Sequence, residues 1–254
     1  MNENEARLFS ATERTLPDAT QLPVKMLLKS LYVKLRRHLG GRRLESSARM
    51  VWTLDAVSDA SGPTAAVRNY LDQRTIRNIV SQFAHTATLQ RACEVGCGYG
   101  RVIMVLKEFA AQVKGFEREE DLVRIARKLQ PEIEFEHVGA LTEIRDSAEY
   151  DLAMMCTVLQ HLSDDDARRV CGVLRTLAPH GHVLLIEKTE PFHITENVTD
   201  GARFISRARS VETYADYMKP FTLVSVAPRV LEPTYPNPKP GSCMLFRSPE
   251  LHSA

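Results

Sequence analysis

The chain has 254 residues, 44% hydrophobic and 26% charged, ordinary values for a soluble chain long enough to bury a sizeable core, and its formal net charge of +1 argues against a nucleic-acid-binding protein. No apolar run approaches the roughly 20 residues that a bilayer span requires, and the polar first twenty residues lack the apolar centre of a signal peptide, so a cytoplasmic location is expected. The cysteines, Cys93, Cys97, Cys156, Cys171 and Cys243, form no Cys-x-x-Cys pair, which argues against a disulfide framework and a structural zinc site; they read as small buried hydrophobes.

Residues 1–20 are polar and unpatterned, and a flexible N-terminus is expected there. Between residues 21 and 50, eight basic residues face Glu45 alone, a local excess of +7 that leaves −6 for the remainder of the chain. Leu27, Leu31 and Leu35 recur at helical spacing within 24–39, ahead of Gly40-Gly41. Three readings of this basic amphipathic helix stand side by side: packing on its own domain, pairing in a homodimer, and peripheral contact with an anionic membrane. A second helix is expected from Glu45 to Val57 and a third from Thr64 to Phe83, with Leu71, Ile76, Ile79 and Val80 on its apolar side. Together, residues 21–85 form an N-terminal helical cap.

From Leu89 a short apolar strand runs into Ala-Cys-Glu-Val-Gly-Cys-Gly-Tyr-Gly-Arg (Ala92 to Arg101), and a helical pattern from Val102 to Phe109 follows. Glycines allow a sharp turn and the close approach of a ligand, and free N–H groups at a helix start suit an anion. A dinucleotide fingerprint requires a longer last interval than Gly96, Gly98 and Gly100 provide, and Arg101 occupies the place of its third glycine. Glu94 comes first instead, at the strand end, where its carboxylate can meet an amine.

This acid-x-Gly-x-Gly-x-Gly pattern resembles motif I of the class I S-adenosylmethionine-dependent methyltransferases, and the resemblance extends from about Leu89 to Arg247. It implies a three-layer α/β sandwich with a seven-stranded, mostly parallel sheet whose last strand is antiparallel, over residues 86–254, behind the helical cap. In such enzymes helices before the first strand pack over the cofactor, which makes Arg68, Tyr70 and Arg74 candidates to line a site.

Glu117 ends the second strand 21 residues after Gly96, where an acid can accept from both ribose hydroxyls. The family resemblance carries the cofactor onto Glu94, Gly96, Cys97, Gly98, Gly100 and Arg101, onto Glu117 and Arg118, and onto Ala140 and Leu141 after the third strand. At the latter position many members carry an acid for the adenine amino group, and this chain departs from them. Tyr150 to Thr157 is a continuous apolar run, as a buried parallel strand should be. With Val158-Leu159-Gln160-His161-Leu162 it is similar to the family's fourth-strand motif, which adds Cys156 and Thr157 to the cofactor set and places His161 near the reacting methyl. Ser163 and Asp166 form a cap for the helix that follows, a simpler account of Asp164, Asp165 and Asp166 than a metal site.

Methyl transfer depends on positioning, and a hydroxyl acceptor also needs a base. His161 is the first candidate for that base, with Glu187 and His193 as alternatives. The insert over 188–220 reads as an acceptor lid, in which Arg203, Phe204, Arg207 and Tyr214, with Tyr99 of the glycine turn, are candidate substrate contacts. The expected acceptor is a hydroxyl of a sugar or glycoconjugate, with a natural-product or peptide hydroxyl or amine as the alternative. A non-catalytic module that only binds the cofactor would retain the same glycine turn. A nicotinamide dehydrogenase is disfavoured by the glycine spacing and the lack of a Tyr-x-x-x-Lys pair. A nucleic-acid methyltransferase is disfavoured because Met155-Cys156-Thr157-Val158 lacks the Asn-Pro-Pro-Tyr pattern.

Overall fold

The computed structural model describes residues 63–84, 89–189, 194–199, 202–229 and 241–251. The N-terminus, the basic helix over 24–39, the helix from Glu45 to Val57, His193, and the side chains of Arg68, Arg203 and Phe204 lie outside the described residues.

Helix α1 (Pro63–Ala84) precedes the alternating core of β1 (Leu89–Val95), β2 (Ala110–Glu117), α2 (Glu120–Leu129), β3 (Glu134–His137), β4 (Leu152–Cys156), α3 (Asp164–Leu177) and β5 (His182–Glu187). There follow a hairpin of β6 (Ile194–Thr199) and β7 (Ala202–Arg207), then α4 (Val211–Met218), β8 (Thr222–Pro228) and β9 (Ser242–Arg247). The main sheet has seven strands in the order β3-β2-β1-β4-β5-β9-β8. The first five are parallel, and β9 runs antiparallel to both of its neighbours.

Each central strand is buried on both faces, and its side chains divide by parity. Met155 and Leu185 join a cluster with α3 and α4, whereas Met154, Cys156 and Leu184 join one with α1 and α2. Glu94 shares the parity of Ala92 and therefore points to the α1 side; Glu187 shares that of Leu185 and points to the α3 side. The strand order reverses at β1, between β2 and β4, and in open α/β sheets ligands bind beyond the carboxyl ends of the strands at such a point.

One local expectation is corrected, and one element is added. The segment after the glycine turn is a 3-10 helix (Ile103–Glu108), not an α-helix. The carbonyls that would open an α-helix are already taken: Gln130 Nε2 donates to Gly100 O at 2.7 Å and Gln73 Nε2 to Arg101 O at 2.9 Å. Val105 N–H bonds back only three residues, to Val102 O. The insert after β5 also contains the β6–β7 hairpin, which pairs Thr199 with Ala202 and Ile194 with Arg207.

Candidate functional site

The glycine turn is fastened to the end of β2. Gly96 and Cys97 N–H groups both donate to Phe116 O, and Gly98 N–H donates to Glu117 Oε2 at 2.7 Å. Gly96, Gly98 and Gly100 have φ of 75°, 58° and 88°, the left-handed region where a side chain is strained. A Cβ on Gly96 would stand 2.7 Å from Val158 Cγ2. Cys97 is buried with its sulfur over Gly115, and Tyr99 is half-buried.

Glu94 is 2% exposed, and its Oε2 has no hydrogen-bond partner. Burial pushes its carboxyl well above the usual range, opposed by the Arg101 guanidinium and reinforced by Glu117. A buried carboxylate oxygen without a donor fits an ammonium group brought by a ligand. Glu117 is nearly as buried but well satisfied: Oε1 accepts from Arg118 and Glu119 N–H at 2.7 and 2.9 Å, beside the Gly98 bond to Oε2. Burial raises its pKa, and those three donors work against the rise. Each oxygen keeps acceptor capacity for a hydroxyl. Arg118 folds back onto Glu119, and Leu141 packs on the α3 side of the core after Ala140.

Arg101 does not face solvent. Its Nη1 donates to Asp72 Oδ2 at 2.6 Å, and its Nη2 to the Cys156 sulfur at 3.4 Å. Arg229, just after β8, forks onto the same Asp72 at 2.8 and 2.7 Å. Burial opposes the charge on Asp72, but the Arg229 and Arg101 guanidinium groups outweigh it and hold the carboxyl below its ordinary range. Sequence reasoning missed Asp72 and Arg229 as site residues. One signal was present: Asp72 stands on the stripe of Ile76, Ile79 and Val80, where an acid in an apolar register calls for a buried partner. Tyr70 and Arg74, offered for the site, are exposed.

Beyond β4 the backbone turns through Thr157, a non-glycine residue at φ 59°, whose N–H donates to Ile186 O. The next loop is clamped on two sides. Glu187 Oε1 accepts from Val158 and Leu159 N–H at 2.9 Å each, and its Oε2 from Gln160 N–H at 3.2 Å. Arg209 donates to Leu159 O at 2.7 Å and Leu162 O at 2.8 Å, and is itself held by Asp164. Arg207 adds a bond to Leu162 O. His161 lies half-buried within this clamped loop, near Gln160 Nε2 at 2.9 Å. The carboxylate of Glu187 is thus engaged by backbone, and burial raises it to about 7 against those three donors.

The acidic run resolves into caps and ion pairs: Ser163 Oγ accepts from Asp166 N–H, Asp164 holds Arg209, and Asp165 and Asp166 pair with Arg168 and Arg169. Among the described residues no three His, Cys, Asp or Glu side chains are grouped to hold a metal, and no helix is long and apolar enough to cross a membrane. Tyr214 is corrected: at 0% exposure it lies inside the α3–α4 core, because its place on the inward face of α4 outweighs its place in the insert.

A mostly parallel sheet of this order, with a glycine turn after β1 and acids at the ends of β1 and β2, has the architecture of the class I methyltransferases. Residues 92–181 match a family model described as a methyltransferase domain. A search of curated proteins found no match. Among solved structures, the chain is similar to magnesium protoporphyrin IX methyltransferase from Synechocystis PCC 6803 with bound SAM, with 14% identity, 91% of this chain and 99% of that one covered, and TM-score 0.56. It is also similar to the N-methyltransferase NodS from Bradyrhizobium japonicum WM9 with S-adenosyl-L-homocysteine, with 16% identity, coverage of 80% and 96%, and TM-score 0.57. A SAM-dependent methyltransferase of Leishmania major shares 18% identity over 77% of each chain, with TM-score 0.61. The family-model match over residues 92–181 is to a methyltransferase domain, and the solved structures share the fold of this chain.

Proposed function

We propose that the protein moves a methyl group from S-adenosylmethionine to a hydroxyl of a small-molecule or glycan acceptor, with His161 taking the acceptor proton. The cofactor, when bound, supplies a methyl carbon activated by the sulfonium centre. Toward it the chain offers Glu94 for the methionyl ammonium, Arg101 for the carboxylate and Glu117 for the ribose hydroxyls.

The observation that carries the acceptor half is the clamped loop after β4, which presents His161 from a backbone fixed by Glu187 on its N–H side and Arg209 on its C=O side. Imidazole titrates near neutrality, which suits a base for a hydroxyl. Arg207, bonded to Leu162 beside it, offers a cation to a phosphate or carboxylate on the acceptor. An amine acceptor is the second reading, favoured by the likeness to an N-methyltransferase. The test is a transfer assay with labelled S-adenosylmethionine against sugar, natural-product hydroxyl and amine acceptors, on the wild type and His161→Ala. Turnover of a hydroxyl acceptor that falls about a hundred- to ten-thousand-fold in the variant supports the reading. Turnover of amines alone, or an unimpaired variant, overturns it.

A further inference from the structure

The buried arrangement on the α1 side of the sheet has an unbalanced charge. Asp72 is one carboxylate between two guanidinium groups, 1% exposed, with Arg229 and Arg101 9% and 11% exposed at their side chains. One anion cannot neutralise two cations, and the excess positive charge lies within the field of Glu94, whose Oε2 is unpartnered. Arg101 spends one terminal nitrogen on Asp72 and points the other at a thiol, a weak acceptor. A ligand bearing an ammonium and a carboxylate on one carbon would satisfy both: the ammonium takes the free oxygen of Glu94, and the carboxylate takes the poorly used face of Arg101. Stability alone is a weak reason to retain such a group, since buried ion triads are often no better than apolar residues of similar volume. Arginine is flexible, and its fork selects a carboxylate well only when its plane is fixed. Asp72 supplies that fixing from α1, while Arg229 fixes Asp72 in turn.

We propose that Asp72 is a positioning residue that aims Arg101 at the carboxylate of the methionyl end of the cofactor, and so sets the preference for ligands that carry the intact amino-acid end. The proposal rests on the methyltransferase reading above, and its test separates the two. S-adenosylhomocysteine and 5′-methylthioadenosine, which lacks the amino-acid end, are titrated calorimetrically into the wild-type chain, Asp72→Asn and Asp72→Glu. The wild type should prefer S-adenosylhomocysteine by on the order of a hundredfold, as expected for charge-assisted bonds to both ends of a zwitterion. Asp72→Asn should narrow that ratio about tenfold while its affinity for 5′-methylthioadenosine stays within about twofold. Asp72→Glu, which keeps the charge but displaces it, should narrow the ratio in the same direction and serves if the neutral variant does not fold. A ratio unchanged in both variants, or equal weakening of both ligands, overturns the proposal by making Asp72 a strut. Failure of S-adenosylhomocysteine to bind the wild type removes the cofactor reading itself.

Discussion

Gly98 N–H donates a 2.7 Å hydrogen bond to Glu117 Oε2, joining the middle of the glycine turn to the end of the neighbouring strand. Glu117 therefore shapes the turn as well as offering itself to a ribose. Glu117→Ala should lose both roles. Each charge-assisted bond is worth about 1.5–3 kcal/mol, so the dissociation constant for S-adenosylhomocysteine should rise at least tenfold, read by calorimetry.

Glu187 makes a prediction in pH. Its folded-state pKa is raised to about 7 from an ordinary value of 4.5, with burial the leading cause. An acid with a raised folded pKa favours the folded state when protonated, so that contribution is fully present below pH 4.5 and is lost as pH rises to 7. The slope of unfolding free energy between pH 4.5 and 7 should be steeper in the wild type than in Glu187→Gln, with a total difference on the order of 3 kcal/mol. Parallel curves from denaturant melts would contradict this.

Two glycines outside the site should behave oppositely. A Cβ at Gly181 would lie 2.5 and 2.6 Å from the Asp151 and Tyr150 carbonyl oxygens, which are backbone and cannot give way. At Gly172, inside α3, the nearest heavy atom is the end of Arg175 at 3.7 Å. Gly181→Ala should be destabilising by about 1–3 kcal/mol, and Gly172→Ala stabilising by roughly 0.5–1 kcal/mol. Chemical denaturation midpoints check both.

His161→Ala should leave cofactor affinity within about twofold while slowing transfer to a hydroxyl acceptor about a hundredfold or more. The separation of binding from turnover checks this, because Glu187 and Arg209 hold the loop through backbone atoms of Val158, Leu159, Gln160 and Leu162 that the substitution leaves in place.

The sheet was legible because β4 and β5 are continuous apolar runs, because Glu94, Glu117 and Glu187 stand at the ends of β1, β2 and β5, and because the glycine spacing is local. The same locality exposed Glu94 and Glu117. Pairings across sequence distance were hidden: Asp72 meets Arg229 across 157 residues, and no short window shows it. The 3-10 helix was misread for the same reason, since Gln73 and Gln130, which take its first carbonyls, are 28 and 30 residues from their acceptors. Tyr214 misled because an insert suggests a lid, while the helical phase of Tyr214, Tyr217 and Met218 turns that face inward.

The central claim is tested most directly by calorimetric titration of the purified protein with S-adenosylmethionine, S-adenosylhomocysteine and NAD, repeated on Glu117→Ala and Gly98→Val. Micromolar binding of the two sulfur ligands alone, abolished or strongly weakened in both variants, is the predicted result. Binding of NAD in preference to both, or of neither sulfur ligand, would contradict the account.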